Sequence, residues 1–177
     1  MKHSNLIPFV LVVVLALVGC TSGREPSPRV NVWEADTVKV EKPKRVKFKR
    51  TDGSGLIQIE ALINGVPFNM WWDTGASITT ISALEFVNLI KGDVISEDDA
   101  MENIQTRNAN GSVSTCGMFM CREFKIRTTD GSEFVLDNVE VAVSDNVGSP
   151  LLIGQNVMRR LPNAHVLDFE GVIEFKE

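Results

Sequence analysis

The chain is poor in the side chains that carry most hydrolytic and metal chemistry. Beyond residue 19 it holds one histidine, His165, and three cysteines, Cys20, Cys116 and Cys121. His165 lies in an apolar, strand-like stretch where a core or edge role suits it, and no motif sets Cys116 or Cys121 beside it for Cys-His catalysis. The spacing of Cys116, Cys121 and His165 fits no common zinc pattern, so neither metal nor cofactor is expected. An Asp-Lys-Thr-Gly loop and a nucleotide loop are both missing, which excludes phosphoaspartyl chemistry. Basic excess is missing too: a net charge of -5 and a pI of about 5.1 argue against a nucleic-acid partner. Length leaves room for one domain and a tail.

The apolar run LIPFVLVVVLALV follows Lys2 and His3, and is short for a membrane span but apt for a signal-peptide core. It closes on Leu17-Val18-Gly19-Cys20, which resembles the lipobox of bacterial lipoproteins. That resemblance implies removal of residues 1–19, acylation of Cys20, and an exported protein anchored on the periplasmic or cell-surface side. Thr21 in place of Asp resembles lipoproteins sent to an outer membrane where one exists. An ordinary cleavable signal with a nearby cysteine is the plainer alternative. Residues 20–43, rich in Ser, Gly, Pro and alternating charge, read as a flexible tether. Cys116 and Cys121 then form an even pair, joined as a disulfide or left as two half-buried thiols. Lys42, Lys44, Arg45, Lys47, Lys49 and Arg50 make a local basic cluster. They read as the solvated side of a first strand with Val46 and Phe48 inward, or as a contact for anionic headgroups.

From Gly55 the periodicity is that of strands. Ile57, Ile59, Ala61 and Ile63 share one face, Asn64-Gly65 signals a hairpin, and Val66, Phe68, Met70 and Trp72 share the next. Ser82-Ala83-Leu84-Glu85 has capping-box form, and Ala83, Phe86, Val87 and Ile90 step at helical spacing up to Gly92. A long hairpin is expected with its tip near Asn110-Gly111, a second turning at Asp130-Gly131, and Val139, Val141 and Val143 alternating inward. Leu151-Leu152-Ile153 is a short apolar run ending at Gly154, then a helical stretch from Gln155 to Leu161 stops at Pro162. A last hairpin turns at Glu170-Gly171. Many short strands with two small helices predict an all-β, closed barrel over residues 44–177.

Asp73 stands where an apolar strand, ending in Trp71-Trp72, breaks into Thr74-Gly75-Ala76-Ser77. A carboxylate there is poorly solvated unless donors reach it, and the Thr74 and Ser77 hydroxyls and the Gly75 amide are candidates. The plainer reading is an Asx-type turn that ends the strand.

The string from Trp71 to Ser77 resembles the active-site loop of retropepsin-like aspartic proteases, and Leu151-Leu152-Ile153-Gly154-Gln155-Asn156 is similar to the family's second signature. Their order, with a Gly-tipped hairpin between them, extends the resemblance over about residues 44–177. It implies a retropepsin-like acid-protease barrel and a peptidase acting on peptide or protein substrates. Asp73, Thr74 and Gly75 would form the catalytic loop, supported by Ala76, Ser77, Gly154 and Asn156, with Asn110 and Gly111 in the flap. Thr74 would bond across a dimer axis, and Asn156 would brace the loop from beneath. Ala76, lacking a hydroxyl, implies activity at mildly acidic or neutral pH. This chemistry uses two carboxylates, and the chain carries one Asp-Thr-Gly, so a homodimer is expected. The rival is a barrel of the same type kept as a lipoprotein that binds peptides or assembles envelope proteins without cutting.

Overall fold

The structure, a computed structural model, describes residues 42–51, 55–107 and 111–176. The expected leader 1–19, Cys20, the expected tether up to residue 41, and Asn110 lie outside the described residues. The first half forms β1 (Lys44–Lys47), β2 (Lys49–Arg50), β3 (Ile57–Ile63), β4 (Val66–Trp72), β5 (Thr79–Ser82) and α1 (Ala83–Lys91). The second half forms β6 (Ala100–Arg107), β7 (Val113–Arg127), β8 (Glu133–Ser144), β9 (Leu152–Ile153), α2 (Gln155–Met158), β10 (Asn163–Leu167) and β11 (Val172–Lys176).

Each turn signal acts through its backbone. Asn64 and Gly65 both take positive φ, 47° and 87°, the combination a two-residue hairpin requires, and β3 pairs with β4 from Ile63↔Val66 to Gln58↔Trp71. The Asn64 side chain then ties the turn to its neighbours, accepting from the Glu123 amide at 3.0 Å and donating to the Val94 carbonyl at 3.2 Å. The two central hairpins share one strand: β7 pairs with β6 along its first half and with β8 along most of its length. Near its end β7 also pairs with β3, from Ala61↔Ile126 to Ile63↔Phe124. That pairing closes the circuit β3-β4-β9-β5-β8-β7, the all-β architecture expected, with two short helices. Ile59, Ile63, Met70, Ile81, Phe119, Phe124, Ile126, Val139, Val141 and Ile153 fill the interior and are fully or almost fully buried.

β1, β11 and β10 form a separate antiparallel sheet, in that order. Its inner face joins the barrel through Phe175, which meets Trp72 edge-on at 6.0 Å and Phe134 at 4.8 Å. Trp72, half-buried, is therefore part of the packing around the core. Val46 is buried and Phe48 half-buried, as expected for the inward side of the first strand.

Three expectations need correction. In α1 the buried side is Leu89 with Phe86 rather than Val87 and Ile90, which are 42% and 45% exposed. Phe86 rests on Phe119 at 5.5 Å, and the Leu89 carbonyl accepts the Val94 amide, so the chain leaving the helix turns the face by one position. α2 stops at Met158, short of Leu161. Cys116 and Cys121 are free and cannot form the disulfide. They lie five residues apart on β7, about 16 Å along an extended strand, whereas a disulfide needs Cα atoms within about 7 Å. They also face opposite ways: Cys121 joins the main core, Cys116 a smaller cluster with Met118 and Ala142.

The tightest packing is where β9 crosses between β4 and β5. A Cβ on Gly154 would stand 2.4 Å from the Ile78 carbonyl carbon and 2.8 Å from the Thr79 nitrogen, so only glycine fits. Thr79, fully buried, accepts the Gly154 amide on its hydroxyl at 3.1 Å and donates that hydroxyl to Asn156 Oδ1 at 2.9 Å. Asn156 Oδ1 also accepts the Thr79 amide at 2.8 Å, and Asn156 Nδ2 donates to the Glu140 carbonyl at 2.8 Å. Asn156 thus joins β5, β8 and α2 beneath the segment that follows Asp73.

Gly154→Ala is expected to fold poorly or with the Ile78–Thr79 segment displaced, seen as lost amide-exchange protection at Thr79. Asn156→Ala removes three bonds and is expected to lower stability by roughly 2–3 kcal/mol in urea unfolding; an unchanged midpoint would contradict the brace. Burial pushes the Cys121 thiol up to about 11. Its stabilising contribution is therefore full below the ordinary thiol range and is lost as pH rises toward that value. Native alkylation at mildly alkaline pH should spare Cys121, and denaturation without reductant should expose both thiols to label. A linked Cys116–Cys121 peptide in the mass map would contradict this.

Candidate active site

β4 delivers Asp73 to the point where β9 passes beside it. The Trp71 amide donates to the Leu151 carbonyl at 2.8 Å and the Asp73 amide to the Ile153 carbonyl at 3.2 Å, so the strand end is fixed before the chain turns. The turn closes with the Ala76 amide on the Asp73 carbonyl at 3.2 Å. Asp73 is half-buried, and its Oδ1 accepts the Gly75 amide at 2.8 Å. A side chain on Gly75 would crowd that oxygen, its Cβ falling 3.2 Å away. Of the three donors expected, the Gly75 amide alone reaches the carboxylate; Thr74 and Ser77 are exposed and make no hydrogen bond to it.

The bond from Gly75 is an Asx turn, so the plain reading of the sequence is physically present. Asp130 shows how a purely structural turn acid differs. Its Oδ1 receives the Thr128 hydroxyl, the Ser132 amide at 3.0 Å and the Ser132 hydroxyl at 2.8 Å, and together these hold its carboxyl down at about 2. Asp73 spends one oxygen on a single amide, and its Oδ2 takes no hydrogen bond among the described residues. A carboxylate so held has a fixed orientation and a free oxygen with which to exchange a proton.

α2 carries the loop from the other side. The Gln155 amide donates to the Ala76 carbonyl at 2.8 Å, and the Asn156 amide to the Ser77 carbonyl at 3.2 Å. Gln155 Nε2 reaches the Thr74 carbonyl at 3.0 Å. Every residue from Asp73 to Ser77 is thus bonded through its backbone either within the loop or to β9 and α2. Gln155 and Thr79 were not singled out by the sequence. Strand alternation through Thr79-Thr80-Ile81-Ser82 marks Thr79 as facing Ile81's side, but nothing in the string marks its hydroxyl as the hub.

The β6–β7 hairpin ends in an exposed Gly111 with φ 84°. At its base Cys116, Met118 and Ala142 pack with Ile78, Met101 and Ile104, joining the hairpin to the residue that follows Ser77. Cys116 Sγ lies 3.3 Å from the Thr106 hydroxyl across the same hairpin. The structure therefore gathers Asp73, Thr74, Gly75, Ala76, Ser77, Gly154 and Asn156 into one unit and couples the hairpin to it. His165 stands apart, exposed on β10 opposite Glu174. A cavity of about 330 Å³ lined by Val46, Lys47, Glu60, Arg127, Thr128 and Thr129 includes no residue of the loop.

A family model described as "gag-polyprotein putative aspartyl protease" matches residues 59–160, more than half of the chain. The match begins within β3, ends just past α2, and contains the Asp73 loop, the hairpin and the Gly154 crossing. Among solved structures, a retropepsin-like aspartic protease from Rickettsia conorii superposes with a TM-score of 0.54 at 18% identity, over 76% of this chain and 91% of that one. At that identity the likeness is one of fold. No curated protein matches the sequence. With the barrel, the loop and the crossing strand all inside the matched span, the chain belongs to the retropepsin-like aspartyl protease family.

Proposed function

We propose that the protein is an aspartic endopeptidase, anchored to a membrane through Cys20 and active as a homodimer in which each subunit supplies one Asp73. The observation that carries this reading is the Asp73 loop itself: one carboxylate, oriented by the Gly75 amide, whose second oxygen takes no hydrogen bond among the described residues. In the pair, one carboxylate is ionised and takes a proton from water as the water oxygen attacks the peptide carbonyl carbon. The other, protonated, donates to the carbonyl oxygen. The tetrahedral intermediate then collapses as its C–N bond breaks and the departing nitrogen gains a proton. Thr74 bonds across the axis, Gly75 allows the two loops to approach, and Ala76 and Ser77 complete each loop. An extended peptide lies under the hairpin near Asn110 and Gly111, held by strand-like backbone pairing.

Two features support pairing of subunits. The chain has one Asp-Thr-Gly, and an isologous contact brings a residue on the axis against its own copy. Among the described residues β10 pairs on one side only, with β11, and Val166 on it is 41% exposed. Such an edge is a template for another strand. Two lipid-tethered copies would meet at a raised effective concentration.

Asp73→Asn should keep the oligomeric state and cut peptide-library turnover by roughly a thousandfold or more; the same products at the same rate would sink the reading. Val166→Asp, which sets like charges together on the edge, should give a monomer by sedimentation equilibrium and no cleavage. If wild type stays monomeric at high concentration and cuts nothing, the chain is instead a peptide-binding lipoprotein.

A further inference from the structure

We propose that the turn between β10 and β11 docks on a bilayer rich in anionic lipid, with Phe169 entering the boundary between headgroups and acyl chains and the neighbouring lysines lying on the headgroups. Phe169 is the most exposed large apolar residue described, at 108% of its reference area. Lone apolar residues on a surface are common, but this one is held out by its surroundings. Asp168 on one side accepts Arg50, and Glu170 on the other accepts Arg45 at 2.7 Å. The Gly171 carbonyl accepts the Phe48 amide at 3.0 Å, and Gly171 takes φ 63° to close the turn. Both flanking residues and the backbone behind are thus pinned to the basic segment, and the ring between them stands fully exposed.

The segment that pins it is the most basic in the chain. Residues 42–50 carry six Lys and Arg and no acid, in a protein whose net charge is -5. Two of the arginines are matched by Asp168, Glu170 and Glu174. Lys42, Lys47 and Lys49 are exposed and form no ion pair among the described residues, and Lys47 and Lys49 flank the Phe48 amide that meets the turn. A protruding aromatic ring among unpaired lysines fits an interface that is negative at its surface and apolar beneath. A second copy of the same surface would set lysines against lysines, and a nucleic-acid strand would meet a protein that is acidic elsewhere. The inference does not depend on proteolysis or on acylation of Cys20.

The test uses the chain from Thr21 to Glu177, which retains the whole core, since the buried cluster runs from Val46 to Phe175. It is sedimented with phosphatidylcholine vesicles, with or without about a third phosphatidylglycerol; partitioning should be about tenfold stronger on the anionic vesicles and fall with added salt. Phe169→Ser should weaken that partitioning by about fivefold with an unchanged melting temperature, because the ring has no packing to lose. The Lys47→Glu, Lys49→Glu pair should abolish it. Equal partitioning on both vesicles, an unaffected Phe169→Ser, or preferential capture by a single-stranded oligonucleotide would overturn the proposal. So would loss of self-association, rather than of vesicle binding, in Phe169→Ser.

Discussion

Everything at the candidate site rests on the passage of Gly154 over the peptide between Ile78 and Thr79, where there is no space for one more carbon. Because β9 can come that close, the Leu151 and Ile153 carbonyls reach the Trp71 and Asp73 amides, and the start of α2 reaches the carbonyls of Ala76 and Ser77. The loop is held from both ends by backbone bonds, and of its side chains only one oxygen of Asp73 takes part in the turn. Thr79 fixes the crossing by donating its amide and hydroxyl to Asn156 and accepting the Gly154 amide, where burial would make any unpaired polar atom costly. The carboxylate of Asp73 can then be oriented by one amide and still keep an oxygen for chemistry.

The rest of the fold follows from making that crossing possible in a chain of this size. β7 is long enough to form one arm of the β6–β7 hairpin and, farther on, to pair with β3 and close the barrel. The cluster around Cys116 and Met118 lies between these two stretches and packs against Ile78, so the base of the hairpin is joined to the segment that follows the Asp73 loop. The three-stranded sheet lies outside this circuit. It is bonded to the barrel by Phe175 and its aromatic neighbours, and it presents the open edge of β10 together with the basic face and Phe169.

Local rules made much of this legible. Alternation located β3, β4 and β8, Asn64-Gly65 and Asp130-Gly131 placed their turns, and Ser82 with Glu85 started α1. The Asp73 loop and the Gly154 run were recognisable as a pair through their resemblance to the two signatures of one family, whereas the steric need for glycine at 154 appears only in the folded crossing. What stayed hidden is what depends on distant partners. The pairing of β1 with β11 joins the two ends of the domain and leaves no local sign. The rotation of α1 is set by where Phe119 happens to stand, and the thiol pair looked joinable because sequence nearness says nothing about two faces of one strand. A turn acid and a reactive acid are not exclusive readings, since Asp73 makes the turn with one oxygen and its other takes no hydrogen bond among the described residues.

The central claim is that a working site needs two copies of Asp73, and subunit mixing tests it most directly. Wild type and Asp73→Asn chains would be exchanged at constant total concentration and peptide cleavage followed as the wild-type fraction falls. If both carboxylates are required, activity declines as the square of that fraction, to about a quarter when half the chains are wild type. A linear decline, with about half the activity retained at that point, would mean that each Asp73 works alone and would contradict the account.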